Sequence, residues 1–228
     1  MKAVRFCLTF TCGIFIGIII NALSVERIYL FDNNCNKDVR AYFEDDAVNL
    51  DSLKNLYGVN KSFIVSYEQQ SLIALSYYPE LKKSHIEFVY CAINTTMACR
   101  PTVKSMLSGE RRYQIFINNN PAFEGILLQD VPFNAQIGVI GHELGHVLDY
   151  EIRSTAGVLQ RGINYLSRNG KRSYEKSIDK LTIRKGLGWQ LYEWADFSMN
   201  KSVKATEKYK KFKRDIYMSP EEIEKELE

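Results

Sequence analysis

The sequence predicts an α+β fold, because strands and helices are mixed in its first half while its second half is helical. Three segments of the first half have the aromatic and β-branched content of strands: SFIVSY (62–67), HIEFVYC (85–91) and RYQIFINNN (112–120). Between the first two, EQQSLIALSYYPEL has a helical apolar spacing that Pro79 interrupts. The elements do not alternate regularly as in an α/β protein.

One long helix is predicted at the centre of the chain, from Asn134 as its N-cap through AQIGVIGHELGHVLDYEI. Its apolar residues recur at three- and four-residue spacing, so one stripe should face a core: Ile137, Ile140, Leu144, Val147 and Leu148. A shorter helix is predicted before it in PTVKSML, with Pro101 in its first turn.

Beyond a polar connection, the C-terminal part is predicted to be helical. The segments are KRSYEKSIDKLTIRKGLG, stopped at Gly186 or Gly188, then WQLYEWADFSMN and VKATEKYKKFKRD. A last helix should begin at Ser219-Pro220-Glu221-Glu222.

The N-terminus predicts export from the cytoplasm. Lys2 and Arg5 precede an uncharged, mostly apolar run over 6–23, followed by the small-residue exit Ala22-Leu23-Ser24 of a signal peptide. The run is also long enough to remain as a membrane anchor, and both outcomes stay open. Either way the rest of the chain lies outside the cytoplasm, secreted, periplasmic or tethered. Residues 25–228 then form a single domain, with the sheet and central helix in 60–150 and a helical part in 151–228.

Charge and cysteine content narrow the function classes. The net charge is +3, and it falls to +1 without the first 24 residues, which gives no electrostatic reason to expect nucleic acid as a partner. Three cysteines follow that segment: Cys35, Cys91 and Cys99. In an oxidising compartment Cys91 can pair with Cys99, or Cys35 with either; buried reduced thiols are equally consistent with the sequence.

The central helix carries the pattern His142-Glu143-x-x-His146. Residues four apart share a helix face, so both imidazoles can offer a nitrogen to one Zn²⁺ ion. Glu143 is rotated by about 100° from His142 and can act as general base on an activated water. No charged residue falls between Asp130 and Glu143, which is typical of a helix buried beneath a cleft.

A catalytic zinc site needs a third protein ligand. A histidine six residues after His146 would mark one large peptidase class, but that position is Ile152. SYEKSIDKL supplies Glu175 and Asp179, one helical turn apart. Glu193 and Asp196 form a competing acidic pair.

His142-Glu143-x-x-His146 with Glu175-x-x-x-Asp179 downstream resembles the gluzincin zinc metallopeptidases. The resemblance covers about residues 138–181. It implies a zincin-like fold, in which a small mixed sheet packs on the helix that carries the histidines, and one Zn²⁺ bound by His142, His146 and Glu175. It also implies that Asp179 orients one of the two histidines.

The sequence thus predicts an exported or membrane-tethered zinc peptidase that acts on peptides or proteins, with Glu143 as general base. A zinc- or peptide-binding module with the same fold and weak turnover is the alternative, and a tethered interaction protein with structural histidines is a third. Several side chains could stabilise the oxyanion, and none is preferred: Tyr165, Tyr174, Tyr192 and His85. Two roles are open to the strand YQIFINNN: it pairs with extended substrate, or it is an ordinary strand of the sheet.

Overall fold

The computed structural model describes residues 39–45, 48–108 and 110–228. All of them fall within one structural unit, Lys37–Glu228. The predicted export segment over 1–24 and Cys35 lie outside the described residues. Within the described ranges, no helix has the length and apolar character needed to cross a membrane.

A four-stranded mixed sheet forms one layer. Its strands are β1 (Lys61–Ser62), β2 (His85–Cys91), β3 (Met97–Pro101) and β4 (Arg112–Asn118), in the order β1-β2-β4-β3. β1 and β4 both run parallel to β2, whereas β3 runs antiparallel to β4. β4 is therefore an interior strand paired on both sides, and β3 forms an edge.

The sheet turns one apolar face to the helices because its strands alternate. Ile86 and Phe88 of β2 are buried while Glu87 between them is exposed. The same alternation buries Tyr113, Ile115 and Ile117 of β4, in register with β2. This period of two places every second side chain in the core between sheet and helices.

Nine α-helices are present in the described part of the chain. They are α1 (Leu50–Tyr57), α2 (Glu68–Ser76), α3 (Val103–Ser108), α4 (Phe133–Glu151), α5 (Thr155–Asn164), α6 (Arg168–Thr182), α7 (Gly188–Asp196), α8 (Glu207–Ile216) and α9 (Pro220–Leu227). The C-terminal half is helical, as predicted, and the small sheet lies in the first half. The predicted α+β class is confirmed at this level.

Helix α4 is the centre of the fold, and every residue from Asn134 to Tyr150 is buried. It packs against β3, α2, α6 and α7. Gly138 permits the closest of these approaches, since a Cβ there would lie 2.1 Å from the carbonyl oxygen of Gln190 in α7. The histidines therefore sit on a helix that is held from several sides.

Two predicted helix boundaries are present in the structure, a glycine stop after α6 and a capped start of α9. A π-helical turn, Ile183–Leu187, links α6 to α7, and Gly186 within it has a φ of 96°. Glycine reaches this left-handed region without steric cost, which explains the predicted stop. Ser219 and Glu222 form a reciprocal capping box at the start of α9.

Three local predictions are wrong. Of the first predicted strand, 62–67, only Ser62 lies in β1 and pairs with β2, and Val65–Tyr67 instead form a 3-10 turn that leads into α2. Pro101 ends β3 rather than starting a helix. The polar connection before α6 contains the helix α5.

Asn134 is also not the N-cap of α4, because the helix begins at Phe133 after Pro132. Its side chain lies inside the first turn, where it accepts the backbone N–H of Tyr42 and donates to Glu193. The Asn134 side chain thus forms tertiary hydrogen bonds instead of the predicted N-cap.

Cys91 and Cys99 are free thiols. They lie on β2 and β3, and β4 runs between these strands. Two strand spacings amount to about 9 to 10 Å, whereas bridged cysteines have Cα atoms within about 7 Å. The Cys91–Cys99 pair is therefore incompatible with the fold.

Candidate metal centre

Helix α4 presents His142 and His146 on one face. Their ring centroids are 4.9 Å apart and the rings are nearly perpendicular, at 80°. Both residues are buried, with 5% and 4% exposure. The four-residue spacing produces this arrangement, since residues one helical turn apart lie side by side.

Glu175 approaches the two rings from helix α6. Its Oε2 lies 3.1 Å from Nε2 of His142 and 3.3 Å from Nε2 of His146. One ligand atom from each of the three residues lies within 4.8 Å of the others. The structure thus brings together the three residues that were predicted to bind a metal.

The spacing of these atoms suits a small tetrahedral ion. Zinc bound at about 2.0 to 2.1 Å with tetrahedral angles places its ligand atoms about 3.3 to 3.4 Å from one another. The two N–O separations of 3.1 and 3.3 Å are close to that value. Two imidazoles and one carboxylate also form a donor set that catalytic zinc uses, with a fourth position left open.

Asp179 forms a hydrogen bond with Nδ1 of His142, the ring nitrogen that does not face Glu175. Its Oδ1 lies 2.8 Å from Nδ1 of that ring, and its Oδ2 accepts the backbone N–H of Met218 at 2.9 Å. Because Asp179 keeps a proton on Nδ1, Nε2 of His142 is the nitrogen that would bind a metal, in exchange for the proton that it shares with Glu175. Of the two histidines open to Asp179, the structure pairs it with His142.

A tyrosine performs the corresponding task for His146. The hydroxyl of Tyr174 lies 3.2 Å from Nδ1 of His146 and donates to Oδ2 of Asp149 at 3.1 Å. Arg153 and Arg161 each bind both oxygens of Asp149. Burial alone would raise the pKa of Asp149, but these two guanidinium groups outweigh it and lower that pKa.

Sequence reasoning missed this second support. The available signals were the position of Asp149, three residues after His146 on the same helix, and the adjacency of Tyr174 to Glu175. Because Tyr174 is engaged by His146 and Asp149, it is not free to serve as an oxyanion donor. Tyr165 is also engaged, since its hydroxyl donates to Oε1 of Glu175 at 2.7 Å.

The buried charges influence one another strongly. Burial lowers the pKa of His142, but its hydrogen bonds to Asp179 and Glu175 outweigh that effect and raise the pKa to about 10. Burial likewise works against ionisation of Glu175, yet the two histidines bring its pKa well below the usual value. The carboxylates of Asp179 and Glu175 therefore favour the protonated, positively charged form of His142.

Glu143 faces a cleft beside the histidines. The cleft has a volume of about 530 Å³ and is lined by Glu143, His142, His146 and Tyr217. Burial raises the pKa of Glu143. A carboxylate whose pKa is raised toward neutrality is suited to accept and return a proton.

Two elements form the walls of the cleft. One wall is the edge strand β3 with Thr95 before it, and the other is helix α5 with Val158, Leu159 and Gly162. The predicted substrate strand, YQIFINNN, lies in β4, which is interior and already paired on both sides. That prediction is wrong, because the sheet order puts β3 and not β4 beside the site.

The other candidates for the third metal ligand and for the oxyanion donor lie outside the metal centre. Glu193 accepts a hydrogen bond from Asn134, and Asp196 pairs with Lys201 and Asn200, all outside the histidine cluster. Tyr192 packs edge-on against Trp189. His85 begins β2 and does not line the cleft.

Comparison with known proteins identifies no relative: no family model, no curated protein and no solved structure matches this chain. Any function assigned to it therefore rests on the site itself.

Proposed function

We propose that this protein is a zinc-dependent peptidase of the gluzincin type, with a zincin-like fold. The observation that carries the proposal is the convergence of Nε2 of His142, Nε2 of His146 and Oε2 of Glu175 beside an open cleft. Glu143 lines the same cleft, on the helix that carries both histidines. The apolar segment that precedes residue 24 would place this activity outside the cytoplasm.

A zinc ion held by these three residues would lower the pKa of a water molecule and polarise the carbonyl under attack. The protein supplies the remaining chemistry. Glu143 accepts a proton from the attacking water and returns it to the departing amine. Asp179 and Tyr174 keep the imidazoles in one tautomer and one orientation, with Nε2 directed at the ion.

The edge strand β3 favours a peptide as the substrate. Among residues 39–45, 48–108 and 110–228, only β4 pairs with it, on one side, and residues along its length line the cleft. A free strand edge presents backbone N–H and C=O groups, to which an extended peptide can add with little demand on its sequence. Such an addition would hold a peptide bond alongside Glu143 and the histidines.

A binding module without turnover would share the metal centre but would not require a base. The position of Glu143 on the wall of the cleft therefore favours catalysis, since a residue between the two histidines in the sequence is not needed to bind the metal. The carboxylate is buried and its pKa is raised, both of which cost free energy in a structure that does not use it.

The variant Glu143→Gln tests the proposal. We expect it to bind zinc like the wild type and to lose peptide hydrolysis by about 10² to 10⁴-fold, the contribution of a general base. Cleavage of a diverse peptide mixture is followed by mass spectrometry, with Glu87→Gln, an exposed glutamate on β2, as the matched control. Equal cleavage by wild type and Glu143→Gln contradicts the mechanism; zinc binding without cleavage by either supports the binding module.

A further inference from the structure

A second cavity, of about 410 Å³, lies between the loop at residues 120–125 and helix α8. Its lining includes three aromatic residues, Phe123, Tyr209 and Phe212, and we refer to it as the aromatic cavity. The rings of Phe123 and Tyr209 meet edge to face with centroids 5.8 Å apart. Gly125 lets both rings approach the backbone, since a Cβ there would lie 2.5 Å from each of them.

This aromatic cavity lies at one end of the cleft. Asn94 lines the aromatic cavity, and the next residue, Thr95, lines the cleft. The chain then continues into β3. The hydroxyls of Thr96 and Tyr209 are hydrogen-bonded at 2.9 Å, which ties α8 to the start of this edge strand.

The two cavities also share a wall on the helical side. Lys171 and Tyr217 both line the cleft. Nζ of Lys171 lies 4.8 Å from the ring centroid of Phe212, and the ring of Tyr217 lies 6.3 Å from the same ring. Phe212 in turn lines the aromatic cavity. The aromatic cavity therefore adjoins the cleft at the end where β3 begins, within reach of a peptide that follows β3.

We propose that the aromatic cavity is a distal subsite that binds a large apolar or aromatic side chain of the peptide substrate. This inference rests on the proposed peptidase function and names a feature of its substrates. Asn94 precedes Cys99, in the middle of β3, by five residues. Because β3 begins at Met97 and residues 94–96 form bends, the subsite takes a side chain no more than about five residues from a bond held beside Cys99.

The chemistry of the lining selects this class of side chain. Three aromatic rings provide apolar contact and edge-to-face partners for another ring. The two charged residues of the lining, Lys208 and Glu124, have opposite signs and favour neither an acidic nor a basic ligand. Phe212 is 37% exposed, so ring surface remains for a ligand to cover.

Peptide binding to the full-length, zinc-loaded Glu143→Gln variant tests the inference without turnover. The probes are fluorescein-labelled peptides of one length in which a single phenylalanine is moved along an otherwise small and polar sequence. We expect one position to bind at least about tenfold more tightly than alanine at that position, as burial of an aromatic ring in an apolar pocket provides. Cleavage of the same peptides by the wild type locates that position relative to the scissile bond.

Two variants assign the preference to the aromatic cavity. Ala122→Trp would fill it and Phe123→Ala would remove one of its rings; each should abolish the phenylalanine preference while the alanine peptide binds unchanged. Phe63→Ala is the matched control, because Phe63 is a half-buried aromatic residue that stacks on Phe88 outside both cavities.

A preference that persists in both cavity variants, or peptides that bind equally wherever phenylalanine stands, overturns the subsite. Peptides that bind with the expected preference but are never cut by the wild type leave the subsite standing and refute the peptidase function. The two failures are therefore distinguishable.

Discussion

The hydroxyl of Tyr174 joins Nδ1 of His146 to the carboxylate of Asp149, at 3.2 and 3.1 Å. Because the hydroxyl of Tyr174 donates its hydrogen bond to Asp149, its oxygen can accept a hydrogen bond from Nδ1–H of His146. His146 then keeps a lone pair on Nε2, the nitrogen that faces Glu175. The two imidazoles thus receive the same tautomer from different partners, His142 from Asp179 and His146 from Tyr174.

Replacing Tyr174 by phenylalanine should weaken zinc binding by about 10- to 100-fold, the usual effect of losing a partner that orients a metal ligand. The ring itself remains packed against His146, so the fold should be retained. Competition with a chromogenic chelator measures the affinity. Tyr192→Phe, on α7 and away from the cleft, should bind zinc like the wild type; equal affinity in both variants would show that the Tyr174 hydroxyl does not support the site.

Asp179→Ala should have two separate effects. Zinc affinity should fall by about 10- to 100-fold because His142 loses its orienting carboxylate. The free energy of unfolding, measured by urea titration in the presence of a chelator, should fall by about 1 to 3 kcal/mol because the buried N–H of Met218 loses its acceptor.

Asp196→Ala provides the comparison for Asp179, since Asp196 pairs with the largely exposed Lys201. We expect a change in unfolding free energy of no more than about 1 kcal/mol there, with zinc affinity unaffected. Similar losses in the two variants would mean that the hydrogen bonds of Asp179 have no special importance.

The identity of the third ligand is open to a direct comparison of metal content. Purified Glu175→Ala should contain little zinc, whereas Glu193→Ala should retain about one ion per chain. Elemental analysis after dialysis measures both. Loss of zinc in the Glu193 variant alone would transfer the ligand role to α7 and refute the assignment of Glu175.

Two glycines provide a test of the packing that positions α4. Gly138→Ala should lower the free energy of unfolding by about 3 kcal/mol, since the added methyl meets the backbone of α7. Gly162→Ala, in α5, has no atom within 4 Å of its new Cβ and should raise that free energy by about 0.5 to 1 kcal/mol. Thermal and urea denaturation followed by circular dichroism would detect both changes; a tolerated Gly138→Ala would contradict the close α4–α7 approach.

Local periodicity was sufficient to predict much of the centre. The four-residue spacing of His142 and His146 determines that they share a helix face, and the absence of charged residues between Asp130 and Glu143 predicts that this part of the helix is buried. Strand β2 was predicted with its observed bounds, since its alternation is independent of the rest of the fold. Glu175 and Asp179 followed from a resemblance to known metal sites, and the structure places both beside the histidines.

The remaining features depend on how distant segments meet. β4 is nearer to α4 in sequence than β3, but the strand order puts β3 at the edge beside the cleft. Asparagine is a common N-cap residue, but the side chain of Asn134 forms hydrogen bonds with Tyr42 and Glu193 instead of capping the helix. The link from Asp149 through Tyr174 to His146 joins two helices, and the sequence places Asp149 near His146 but does not show that Tyr174 connects them.

The most direct test is the location of zinc in crystals of the zinc-loaded protein, from anomalous scattering at the zinc absorption edge. We expect one zinc ion per chain, bonded to Nε2 of His142, Nε2 of His146 and a carboxylate oxygen of Glu175, at about 2.0 to 2.2 Å. Zinc bound through other residues, or no ion between these three at saturating zinc, would contradict this expectation.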